Sequence, residues 1–105
     1  MTAGTEETVP DLNVVALLTA KPGSEEIIRG ALESLAVATR AEPGCLDYAL
    51  YASAADPTVF ITVEKWASRA ALDGHMTSPH IAEALTIATD HLAVAPAIHP
   101  LVPVS

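Results

Sequence analysis

Two β-type stretches, Leu12–Ala20 (LNVVALLTA) and Thr58–Trp66 (TVFITVEKW), are apolar on both of their alternating faces. In the first, Leu12, Val14, Ala16 and Leu18 form one set, and Val15 and Leu17 the other. In the second, Val59, Ile61 and Val63 oppose Phe60 and Trp66. An antiparallel strand with one wet face alternates apolar and polar residues. A sheet made of these strands therefore needs cover on both sides, and that requirement limits the folds open to the chain.

The rest of the sequence supplies cover for one side. Lys21-Pro22-Gly23 makes a turn, Ser24 offers an N-cap, and Glu25 and Glu26 stand in a first helical turn where the dipole favours negative charge. Ile27, Ile28, Ala31, Leu32 and Leu35 follow at helical spacing, Arg40 suits the helix end, and Pro43-Gly44 stops it. Cys45–Ser53 alternates as a strand, and a turn through Asp56-Pro57 joins it to Thr58–Trp66 in a hairpin. Ser68 caps a short helical segment that Gly74 ends. Ser78-Pro79 opens another helix, with Ile81, Leu85, Ala88 and Leu92 as its buried stripe. Ala95–Val104 is a last strand, and Pro96, Pro100 and Pro103 confine it to an edge. The order is β-α-β-β-α-β, the split arrangement of an α+β, ferredoxin-like fold with an antiparallel sheet. Residues 12–105 form the domain, and the acidic, aperiodic residues 1–11 are expected to be a disordered tail. The two helices cover one face of the sheet. A second copy of the chain, packed sheet to sheet as a homodimer, is expected to cover the other.

Charge and composition exclude several classes. A net charge of −8 with five Lys and Arg in 105 residues provides no basic patch, so neither nucleic acid nor an anionic membrane surface is an expected partner. Cys45 is the sole cysteine, which rules out an intrachain disulfide. The acidic N-terminus is unlike a signal peptide, and no apolar run approaches the roughly 20 residues of a membrane span, so a cytoplasmic location is expected. There is no G-x-G-x-x-G, P-loop or G-x-S-x-G motif, and no Cys/His cluster with zinc spacing. Of the four histidines, His80 and His91 fall about 16 Å apart along a helix, too far to share a metal. His75 and His80 flank the Ser78-Pro79 break and can approach each other, but a metal would need a third ligand, and none is expected.

Several residues can carry chemistry. His75 lies where a helical segment ends, near the top of the third strand; a neutral imidazole there can take a proton from a phenol-type hydroxyl, or can cap the helix break. Phe60 and Trp66 share a strand face and either wall a slot for a flat ring or pack the sheet against a helix. Glu64 on that same face is costly if buried alone, so it pairs with Arg69 or a backbone group, or serves as a base. Cys45 has no cationic sequence neighbour to activate it and reads as a packing thiol.

Four segments, in order, resemble the antibiotic-biosynthesis monooxygenase family, particularly its cofactor-independent quinol monooxygenases. They are Lys21-Pro22-Gly23; Glu42-Pro43-Gly44-Cys45-Leu46-Asp47-Tyr48, similar to E-x-G-C-x-x-Y; Glu64-Lys65-Trp66, similar to E-x-W; and the Ala71–His80 stretch (ALDGHMTSPH), similar to A-L-x-x-H-x-x-x-P-H. The resemblance runs from about residue 12 to residue 103. It implies a homodimeric α+β barrel with a pocket between sheet and helices in each subunit. The implied reaction oxidises a small quinol or polyphenol with O₂ and no cofactor, with His75 as base. Tyr48 and His80 occupy family-matching positions, and Asn13 is the type of polar residue that members present to a ligand, although it can also be a simple turn residue. The fold also carries other activities. A ligand-binding or dimerisation module without turnover, and an isomerase, remain open. Haem degradation would require an axial His near Leu85 and an aromatic residue near His75, and the sequence shows neither there.

Overall fold

The computed structural model describes residues 11–105; the expected disordered tail lies, apart from Asp11, outside them. The elements are β1 (Leu12–Thr19), α1 (Glu25–Arg40), β2 (Cys45–Ala52), β3 (Val59–Trp66), α2 (Arg69–Met76), α3 (Pro79–Ala88), a 3₁₀ turn (Thr89–His91) and β4 (Ala97–Pro100). The four strands form one antiparallel sheet in the order β2-β3-β1-β4, so the proline-bearing strand is at an edge. This is the α+β, ferredoxin-like arrangement that the element order implies.

The register sorts the side chains by face. Val14 pairs with Glu64, Ala16 with Thr62 and Leu18 with Phe60 on the helix side, and β2 adds Tyr48 opposite Glu64. A bulge between Cys45 and Asp47 sets that phase. Under the helices lie two packed groups. One joins Ile28, Leu32, Leu35 and Ala88 to Phe60, and the other joins Val14, Ala36, Tyr48 and Leu72 to Trp66. The opposite face carries Val15, Leu17, Ala49, Tyr51, Ile61 and Val63. There Leu17 is 37 %, Val63 44 % and Tyr51 56 % exposed, an apolar surface without cover among the described residues.

Some local expectations are corrected. Ser24 makes no side-chain cap; its hydroxyl meets His91 Nδ1 at 3.0 Å, and the Glu25 carboxylate accepts from the Gly23 N–H instead. Gly74 does not end α2, which runs on to Met76. The small Ala84 and Ala88 form the buried side of α3, while Leu85 is largely exposed. The alanines lie on the side of α3 that packs against α1 and the sheet. Ser68 and Ser78 do cap as expected, accepting from the Ala71 and Ile81 N–H groups.

The turn between α1 and β2 lies close against α2. Gly44 has φ +85°, and a Cβ there would stand 2.5 Å from the Ala71 side chain of α2. Only glycine lets this turn lie against α2. Gly44→Ala is expected to destabilise the fold by about 1–3 kcal/mol, from left-handed backbone strain added to overpacking. Gly23→Ala, where φ is +91° and nothing lies within 4 Å, should cost only the backbone part. Urea unfolding of the two variants checks the difference, and equal losses would contradict the packing argument.

Candidate active site

A cavity of about 220 Å³ lies between the helix side of the sheet and the three helices. Its walls are mostly apolar, among them Ala16, Leu35, Leu72, Ile81 and Ile98, and the polar groups that reach it are Tyr48, Thr62, Glu64 and His75.

His75 comes from the last turn of α2 and is 3 % exposed. Its Nδ1 lies 2.8 Å from Glu42 Oε2, on the α1–β2 turn that Gly44 holds against α2. A carboxylate oxygen accepts, so Nδ1 carries a proton, and in the neutral ring Nε2 is the nitrogen with the lone pair. Nε2 has no partner among the described residues. It is also not sealed off, since among them only the Thr39 hydroxyl is both buried and unpartnered. Its opening is the cavity. Trp66 supports the imidazole from the sheet side, with ring centroids 4.7 Å apart, and the Tyr48 ring meets it edge-on at 6.0 Å.

The Glu64 carboxylate is held on both oxygens. Thr62 Oγ1 donates to Oε2 at 2.6 Å and Trp66 Nε1 to Oε1 at 2.9 Å. These bonds answer the burial problem raised by the sequence, and the partner is not Arg69, which pairs with Asp73. Burial above all, then the Glu64 charge, hold the Tyr48 phenol well above its usual range, so Tyr48 stays protonated and can serve as a donor. Burial and the charges of Glu42 and Glu64 also push the Cys45 thiol up, consistent with an unreactive packing residue.

The site differs from the sequence reading in several places. His75, Glu64 and Tyr48 come together at the cavity, but Phe60 and Trp66 do not line it. Trp66 is wholly buried behind His75 and Glu64, and Phe60 lies in the other packed group beneath the Arg29 guanidinium. Both support the wall; neither forms it. Asn13 pairs with Lys65 on the outer face of the sheet, away from this cavity, because β1 alternates and only its even-numbered residues face the helices. His80 is also outside the cavity and donates from Nε2 to the same Glu42 oxygen that His75 uses. The missing aromatic neighbour of His75 is present in space as Trp66. Glu42 was missed as a site residue. The signal available was its place before Pro43-Gly44, in the same family-like segment as Tyr48. Among the described residues, Glu42, His75 and His80 are the group able to hold a metal, with ligand atoms all within 4.8 Å of one another.

Fold and site together define a small α+β domain with one buried, apolar, histidine-bearing cavity under its sheet. Its residues 12–86 match the profile of the antibiotic biosynthesis monooxygenase family, and the chain belongs to that family. Rv0793 of Mycobacterium tuberculosis is 40 % identical over 67 residues, 64 % of this chain and 65 % of that protein. The protein sll1783 of Synechocystis is 33 % identical over 73 residues, 70 % of this chain and 50 % of that protein. The matched stretch thus spans less than two thirds of either relative. Among solved structures, PA3566 from Pseudomonas aeruginosa superposes with a TM-score of 0.86 at 29 % identity, covering 94 % of this chain and 99 % of that one. The Rv0793 structure gives a TM-score of 0.83 at 32 % identity, covering 91 % and 97 %.

A raised phenol pKa has a defined consequence for stability. Between the ordinary tyrosine pKa near 10 and its higher folded value, the folded state holds the Tyr48 proton while the unfolded state loses it. Stability therefore falls as pH rises through that window. Tyr48→Phe is expected to flatten this alkaline loss, measured as denaturation midpoints from neutral pH upward. An unchanged slope would show that Tyr48 ionises freely.

Proposed function

We propose that this protein is a cofactor-independent monooxygenase that oxidises a small, neutral, quinol-type aromatic with O₂ in the cytoplasm. The observation that carries the reading is the buried His75 imidazole, with Nδ1 fixed by Glu42 and Nε2 open to an apolar cavity. Family membership supports a monooxygenase, and the single cysteine fits a reducing compartment.

In this reading each group has a role. His75 Nε2 takes the proton of a phenolic hydroxyl, and the Glu42 carboxylate stabilises the imidazolium that results. The electron-rich substrate anion passes an electron to O₂, and the two radicals combine at a ring carbon to form a C–O–O bond. His75 returns its proton to the peroxide. The O–O bond then breaks as the C–H proton of that carbon is lost, leaving a carbonyl on the ring and releasing water. One oxygen atom enters the product, the other leaves as water, and the substrate supplies the electrons. Glu64, held by Thr62 and Trp66, accepts from a second substrate hydroxyl and disfavours substrates that arrive already charged. The apolar walls exclude water from the intermediates.

The uncovered sheet face belongs to the same proposal. Leu17, Val63 and Tyr51 form an apolar surface whose natural complement is the same surface of a second copy. Leu17→Asp should convert a dimer of about twice 10.9 kDa into monomer or aggregate in sedimentation experiments. A stable wild-type monomer would contradict the dimer.

Oxygen uptake over a panel of quinols and anthrones tests the activity. Uptake by the wild type should fall by about 10²–10⁴-fold in His75→Ala, the usual contribution of a positioned base. Full uptake in that variant, with the fold intact, would move the base elsewhere.

A further inference from the structure

We infer that Glu42, His75 and His80 form a binding site for a divalent first-row transition metal ion, and that occupancy of this site switches off the proton acceptor in the cavity. The site is built by a break in helix. α2 ends at Met76 and α3 begins at Pro79, and this interruption turns His75 and His80 toward each other, with ring centroids 6.1 Å apart. The α1–β2 turn, seated on α2 through Gly44, brings Glu42 between them. His75 Nδ1 and His80 Nε2 both point at Glu42 Oε2, which has no Lys or Arg partner among the described residues.

The donor chemistry suits such an ion. Two neutral imidazoles and one carboxylate give a local charge of −1, and imidazole with carboxylate is a set that zinc, cobalt, nickel and ferrous iron accept. Metal–donor bonds near 2.0–2.2 Å place the donors about 3.3 Å apart in tetrahedral geometry. Ligand atoms already within 4.8 Å of one another reach that by small side-chain rotations. Burial is graded from 3 % at His75 through 13 % at Glu42 to 25 % at His80, so the site is anchored inside and open outside. It opens on a surface depression lined by Pro43, Gly74, Ser78 and His80, with room for water ligands. Neither Glu42 nor His80 lines the interior cavity. The His75 ring separates the two spaces, so an ion held here touches no substrate.

The ring nonetheless couples them. An ion on Nδ1 displaces the proton held there, and the neutral imidazole then carries its single proton on Nε2. The cavity then faces an N–H donor where it had an acceptor. This second half of the inference rests on the proposed role of His75, whereas binding itself does not.

Cobalt(II) added to chelator-treated protein tests the two separately. One ion per chain should bind, with the visible absorption bands of cobalt on imidazole nitrogen. Binding should be lost in His80→Ala and in Glu42→Gln and kept in His99→Ala, with circular dichroism confirming that each variant is folded. Zinc should displace the cobalt and stop oxygen uptake by the wild type, while uptake remaining in His80→Ala should be indifferent to zinc. Absence of one-to-one binding, or binding that survives His80→Ala, overturns the site whatever the oxygen assay gives. One-to-one binding with zinc-insensitive uptake overturns the switch.

Discussion

The hydrogen bond from His75 to Glu42 ties the turn after α1 to the end of α2, where His75 forms part of the wall of the cavity. It sets the orientation of the one imidazole that lines the cavity among the described residues, beside a glycine turn packed against an alanine. Remove the close approach of Gly44 to Ala71 and the carboxylate no longer meets the ring. Trp66 fixes the ring from below, and the indole N–H that might otherwise be stranded in the core is used to hold Glu64. Packing and polar satisfaction are thus solved by the same few side chains, which is how buried polar networks avoid the cost of unpaired groups.

The sheet divides the work of the fold. Its helix side carries both the core and the chemistry, with Thr62, Glu64 and Trp66 successive on one face of β3. A two-residue period makes that grouping compulsory, and it also drives Asn13 to the other side. The outer side carries an apolar patch of Val15, Leu17, Ile61 and Val63, with Asn13 and Lys65 at one end of it.

The element order, the hairpin, the edge position of the last strand and the double-sided apolar pattern were legible in the residues, because each rests on local periodicity and turn chemistry. His75 and Glu64 were legible as polar residues in apolar settings. Glu42 was not, since nothing local marks a glutamate before Pro-Gly as a hydrogen-bond acceptor for a buried histidine; its role comes from a contact 33 positions away in sequence. Trp66 and Phe60 were placed on the correct face with two roles open, because which residues of a face line a cavity and which lie behind it is decided by helix packing. The same holds for α3, where Ala84 and Ala88 lie inward and Leu85 remains exposed.

The central claim is that Glu42 holds His75 with its proton on Nδ1, leaving Nε2 as an acceptor toward the cavity. Two-bond proton–nitrogen correlation on metal-free protein with ¹⁵N-labelled histidine reads that arrangement directly. With Glu42 as acceptor, the neutral form of the His75 ring should carry its proton on Nδ1, and Glu42→Gln should lose that single tautomer. A neutral ring protonated on Nε2 in the wild type would contradict it.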